Sequence, residues 1–317
     1  MQLTVITRKS ALAAILLLVV VLVTTAIRSR IAPFGVELAD SEYGERVVSL
    51  VVAMILMFGV GVVEGRIFPR SGLNKGYCAM PISIFGVLSC GIFVAPNILT
   101  TATVALCFAL AIYLLLRSLH SAGEKDTIFF ASLLLGTTIL LYPPAIVLVG
   151  VIPLAIITLA LSLRQALLMI VGYILPPLMA SYVVWYGGSP FRQFACNFAD
   201  AITVEQIGEI TNMPYMAIAM ITSLSLFLVV GMIYAAVRGD KMLLLARVRH
   251  SLYLFVGATF LAMLMFCIPS CDLSALAIIA VPASILLGFV FSLLPNNISA
   301  IAYWLLLAMT LLHLFVE

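Results

Sequence analysis

An all-α, polytopic transmembrane bundle of about eleven spans follows from three features of the sequence. The first is composition: 64% of the 317 residues are hydrophobic and 9% are charged, and the mean hydropathy is +1.26. A water-soluble domain is nearer half apolar and a quarter charged. The second is the recurrence of uncharged apolar runs close to the roughly 20 residues that cross about 30 Å of hydrocarbon. The third is the concentration of lysine and arginine between alternate runs, as the positive-inside rule requires. No alternating pattern marks a β-barrel, and backbone groups facing lipid must be satisfied within their own helix.

Taken in order, the runs read as spans at 11–27, 47–63, 77–95, 98–116, 128–141, 145–163, 166–186, 214–236, 251–268, 273–293 and 299–316, all within one domain, 1–317. The first is an uncleaved span rather than a signal peptide, because "IRSRIAPF" follows it with no small-x-small cleavage site. Pro143 and Pro144 end the short run 128–141, and Pro176 and Pro177 interrupt 166–186. Broken helices at membrane depth are tolerated where protein or a water-filled cavity covers the freed backbone groups. A cavity opening outward is therefore expected there, with a tight hairpin and a kinked helix as the plainer alternative. Between spans, "FADAITVEQIGEI" (198–210) reads as a short interfacial helix, and "VRGDKMLLLARVRHS" (237–251) as an inner connector with basic residues at headgroup level.

Sidedness follows from the charges. With the N-terminus inside, twelve of the 16 Lys and Arg fall in inner loops, and only Arg28, Arg30, Arg46 and Arg192 face outward. Of the 13 acids, Glu64, Glu124, Asp126 and Asp240 are inner and the rest outer, so the C-terminus lies outside. Residues 128–163 either cross twice or form one re-entrant hairpin, and two crossings are the expectation.

Several chemistries have no footing. His120, His250 and His313 sit at span boundaries without paired-ligand spacing, and no Gly-rich phosphate loop is present. The absence of a basic stripe with interleaved aromatics argues against nucleic acid. Cys78, Cys90 and Cys107 read as small apolar packing residues, while Cys196, Cys267 and Cys271 lie near the outer face, where a disulfide is permitted. No charged residue falls in the middle of these spans, which counts against an ion-coupled transporter.

The densest charge is the outer stretch "GVELADSEYGERV" (35–47). Its Asp40 and Glu42 offer two carboxylates for a divalent cation or for general-base catalysis on an acceptor hydroxyl. The plainer alternative is a solvated loop that caps the next span through Asp40, Ser41 and Glu45.

An acidic pair in the first outer loop resembles the glycosyltransferase-C superfamily, polytopic enzymes that transfer sugars from polyprenyl-phosphate donors. The run "FFASLLLGTTILLYPPAIVLVGVIPLAIITLALSLRQALLMIVGYILPPLMASYVVW" is similar to that superfamily's middle section. Residues of about 64–188, through "NKGYCAMPISIFGVL", "KDTIFFASLLLGTTILLYPP" and "LRQALLMIVGYILPPLM", also resemble an uncharacterised multi-span family of Bacteroidota membrane proteins. The superfamily resemblance implies a glycosyltransferase-C-like core, a catalytic carboxylate at Asp40 or Glu42 (or their neighbours Glu37 and Glu45), and donor-phosphate groups among Arg28, Arg30, Arg46 and Arg192. It also implies a polyprenyl-phosphate-linked sugar as partner, a divalent cation as the one cofactor to consider, and envelope glycan assembly at the outer face of a bacterial inner membrane. This chain departs from the pattern in having Tyr142 where the middle proline turn usually carries arginine, and in lacking a large outer domain. Two other classes remain beside this reading: a non-catalytic subunit of a membrane complex, and a lipid or small-molecule transporter gated at the proline-broken helices.

Overall fold

The computed structural model describes residues 40–71, 80–89, 98–118, 125–203, 246–294 and 296–316, with isolated helical positions at 19, 222, 225, 226, 229 and 233. Arg28, Arg30, Glu37, Cys78 and Cys90, and most of the spans expected at 11–27 and 214–236, lie outside the described residues. Among the described residues the protein is helical, at 90%, with no strand. The helices are α1 (Asp40–Arg70), α2 (Met80–Leu88), α3 (Ile98–Ser118), α4 (Lys125–Leu141), α5 (Val151–Thr158), α6 (Leu163–Tyr186), α7 (Gln193–Thr203), α8 (Ala246–Leu264), α9 (Leu276–Leu293) and α10 (Asn296–Val316). Three 3-10 segments, Pro143–Gly150, Met265–Cys267 and Leu273–Ala275, join neighbouring elements.

Among the described residues, five stretches are long and apolar enough to cross a membrane: Val48–Ile67, Ile98–Ser118, Leu163–Tyr186, Val248–Cys267 and Leu276–Leu293. They correspond to five of the expected spans. Asp126–Leu141, Pro143–Thr158 and Asn297–Ala308 are shorter apolar helices, and within the expected 77–95 span only α2 and Ser89 are described.

The two proline pairs behave differently. Tyr142, held extended by the proline after it, stops α4, and Pro143 and Pro144 open a 3-10 turn that leads into α5. Pro176 and Pro177 lie inside α6 without ending it, so the expected interruption is replaced by a continuous helix. Those prolines supply no N–H to the carbonyls of Gly172 and Tyr173. Neighbouring α4 covers this weak point at close range. A Cβ on Gly136 would collide with the Tyr173 carbonyl, and one on Gly172 would lie 2.8 Å from the Phe129 carbonyl. Glycine at both positions lets the two backbones approach, the small-residue packing that membranes favour.

Helix ends use left-handed residues where the turn demands them. Ala160 (φ 49°) closes α5 and Gly188 (φ 92°) closes α6. Each follows with the paired bonds of a Schellman motif, Leu161 N–H to Ile156 O and Ser189 N–H to Val184 O among them.

At the centre of the bundle stands α9, buried along its length from Leu276 to Phe291, with α2, α3 and α8 against it. At the other extreme, α6 exposes Leu163, Leu167, Val171, Ile174, Leu178, Met179 and Val183. So long an apolar surface is incompatible with water and suited to lipid. Tyr182, Trp185 and Tyr186 finish that helix as an interfacial aromatic belt would. The short α7 that follows is amphipathic and has no buried residue. It starts five residues earlier than the 198–210 segment expected to lie at the interface.

Candidate functional site

The acids expected on an outer loop open a helix instead. Asp40, Glu42 and Glu45, with Arg46, occupy the first two turns of α1, because the acids favour the positive end of the helix dipole and the helix need not wait for the apolar run. Helical spacing separates positions 40 and 42, since residues two apart do not face each other. Arg192 is exposed in the turn before α7. No group of three or more His, Cys, Asp or Glu suited to a metal occurs among the described residues. Cys196, Cys267 and Cys271 are free thiols.

What the structure does assemble is two acids that sequence reading had assigned to loops. The first is Asp272, 2% exposed, between α8 and α9. Its Oδ1 accepts hydrogen bonds from the Tyr142 hydroxyl at 2.7 Å and the Ser274 hydroxyl at 2.5 Å. Its N–H donates to the Tyr142 oxygen at 3.2 Å. The Tyr142 hydroxyl also lies 3.6 Å from Cys271 Sγ. Burial first, then the neighbouring Cys271 and Asp272, push the Tyr142 phenol well above its ordinary range. Burial likewise pushes the Cys271 thiol up to about 12. This knot ties the proline turn after α4 to the entrance of α9.

The second acid is Glu64, fully buried on α1. The sequence reading ended the span at Val63 and placed Glu64 in the following loop, yet α1 continues to Arg70 and the apolar segment runs to Ile67. Glu64 thus lies within a stretch long and apolar enough to span a membrane, three residues from its Ile67 end. The sequence does contain the signal. Ala53, Met57, Val60, Glu64 and Ile67 recur at steps of three and four, and all are fully buried, so Glu64 occupies an inward position of the stripe that packs α1 into the bundle.

Glu64 Oε2 lies 2.8 Å from Ser284 Oγ on α9. Ser284 Oγ is also 2.9 Å from the Val281 carbonyl, and Glu64 Oε1 is buried without a hydrogen-bond partner among the described residues. Ser284 is the ninth residue of the 18 in α9, roughly 12 Å from either end at about 1.5 Å per residue. Two residues earlier, Pro282 deprives the Ile278 carbonyl of its helical N–H. The pair therefore bridges α1, close to the Ile67 end of its apolar stretch, and the middle of the central α9, beside a break in the helical hydrogen-bond ladder.

No family model matches the chain, and no curated protein or solved structure matches it either.

Proposed function

We propose that the chain is an integral membrane carrier of a small solute or lipid, with Glu64 as its working group. One observation carries this reading: a carboxyl buried inside a spanning helix with one oxygen unpartnered. Burying such a group is costly, and an ionisable residue in the membrane interior is by default a functional residue. Broken helical ladders at Pro282 and at Pro176–Pro177 are the kind of irregularity that transporters place beside their sites. The finer topology belongs to the same proposal: about eleven spans, N-terminus inside, in a bacterial inner membrane. In support of two crossings by 128–163, Tyr142 and Asp272 meet, and that topology puts both at the outer end.

The test is flux in membrane vesicles carrying either the parent chain or Glu64→Gln at equal insertion levels, with a panel of labelled sugars, amino acids, organic acids and fluorescent phospholipids. Uptake or scrambling of at least one probe should be present with the parent and lost with the variant. Equal flux across the panel would remove the reading.

A second reading is lipid-linked glycosyl transfer at the outer face, favoured by the acid-rich opening of α1. In it Asp40 or Glu42 activates the acceptor, with or without a divalent cation, and Arg28, Arg30, Arg46 or Arg192 holds the donor phosphate. Asn and Gln together at Asp40 and Glu42 should abolish sugar transfer from a polyprenyl-phosphate donor while leaving insertion intact; survival of transfer would exclude those residues.

A further inference from the structure

We infer that Glu64 and Ser284 form a proton-binding site, with the proton carried on Glu64 Oε2 and donated to Ser284 Oγ. The inference rests on the reading of Glu64 as the working group and names the ligand of that group.

Counting hydrogens leads there. Ser284 Oγ makes two short contacts, 2.8 Å to Glu64 Oε2 and 2.9 Å to the Val281 carbonyl. A serine hydroxyl has one hydrogen, and an ionised carboxylate and a carbonyl have none to offer. With Glu64 ionised, one hydrogen must therefore serve both contacts. With a proton on Oε2, Glu64 donates to Ser284 Oγ and Ser284 donates to the Val281 carbonyl, so each contact has its own hydrogen. The proton also changes Oε1 from half of a buried carboxylate to the carbonyl oxygen of a neutral acid, whose unpartnered burial costs far less.

Among the described residues the surroundings contain no alternative counter-charge. Helices α2, α3 and α9 pack on α1; α2 and α9 contain no titratable side chain, and those of α3 are Cys107, Tyr113 and Arg117. On α1 itself, Arg66 is the nearest cation in sequence, and it is exposed. No ion pair to Glu64 exists among the described residues, and the three side-chain oxygens of Glu64 and Ser284 are too few to replace the hydration shell of a metal cation.

The experiment is infrared spectroscopy of the full chain in lipid bilayers, comparing the parent with Glu64→Gln and Ser284→Ala at neutral pH in light and heavy water. The parent should show a carboxylic-acid C=O band that shifts on deuteration, is missing from Glu64→Gln, and moves to higher frequency in Ser284→Ala as the hydrogen bond is lost. As a second measurement, dicyclohexylcarbodiimide, which adds to protonated carboxyls in apolar surroundings, should label Glu64 at neutral pH and progressively less as the pH rises. An acid region identical in parent and Glu64→Gln, a band unmoved by Ser284→Ala, or absence of labelling would each overturn the proton site. Loss of flux in Glu64→Gln would still support the carrier in that case. Conversely, a confirmed acid band with flux unchanged in Glu64→Gln would keep the proton site and remove the carrier.

Discussion

Asp272 and Glu64 are both sealed from solvent, yet the fold provides for them in opposite ways. Around Asp272 stand two hydroxyl donors, from Tyr142 and Ser274, and its own N–H is engaged with the Tyr142 oxygen. Glu64 has Ser284 alone, and one of its oxygens has no hydrogen-bond partner. A buried polar group with its bonds made strengthens a fold, whereas one left half-satisfied weakens it. In the carrier proposed above, Asp272 belongs to the architecture of the bundle and Glu64 to its work.

The comparison can be broken most forcefully at Asp272. Replacing it by leucine leaves the Tyr142 and Ser274 hydroxyls buried without their acceptor, a cost on the order of 3 kcal/mol or more. A chemical or thermal melt in lipid should show that loss. Tyr142→Phe removes a single hydroxyl from the same knot and should cost about 1–2 kcal/mol, read in the same melt. The opposing site should be less sensitive: Ser284→Ala removes a single hydroxyl, the one hydrogen-bond partner of Glu64 among the described residues, and a change of about 1 kcal/mol is expected.

Alkali tests the outer knot from another side. Folding raises the Cys271 thiol from 9.0 to about 12, so the folded state holds this proton more tightly than the unfolded chain does. The stability this contributes is complete below pH 9 and is lost as the pH climbs towards 12. Accordingly, a maleimide at neutral pH should modify the exposed Cys196 and Cys267 well before Cys271. Rapid modification of Cys271 would mean that the knot is open.

Much of the fold is legible in the sequence, because lipid imposes long apolar runs. Five of the expected spans reappear as membrane-length helices. Proline is less readable: the same doublet ends α4 but is absorbed by α6, since Gly136 and Gly172 let α4 close over the carbonyls that Pro176 and Pro177 leave without a donor. The candidate site was missed because a charge itself terminates a hydropathy run. Glu64 ended the run at Val63 and so concealed that it belonged to the span, although its place in the 53, 57, 60, 64, 67 stripe was there to read. For Asp272 no local signal sufficed, because Tyr142 lies 130 residues away.

The most direct test is a side-by-side thermal melt, in lipid nanodiscs, of two apolar replacements of similar size, Asp272→Leu and Glu64→Met. Replacing a buried polar group by a well-packed apolar one is neutral or stabilising where the group was poorly compensated, and destabilising where partners are orphaned. The account predicts that Asp272→Leu melts well below the parent, while Glu64→Met melts with it or above it. A loss for Glu64→Met as large as that for Asp272→Leu would contradict the account, because Glu64 would then hold the fold together as Asp272 does.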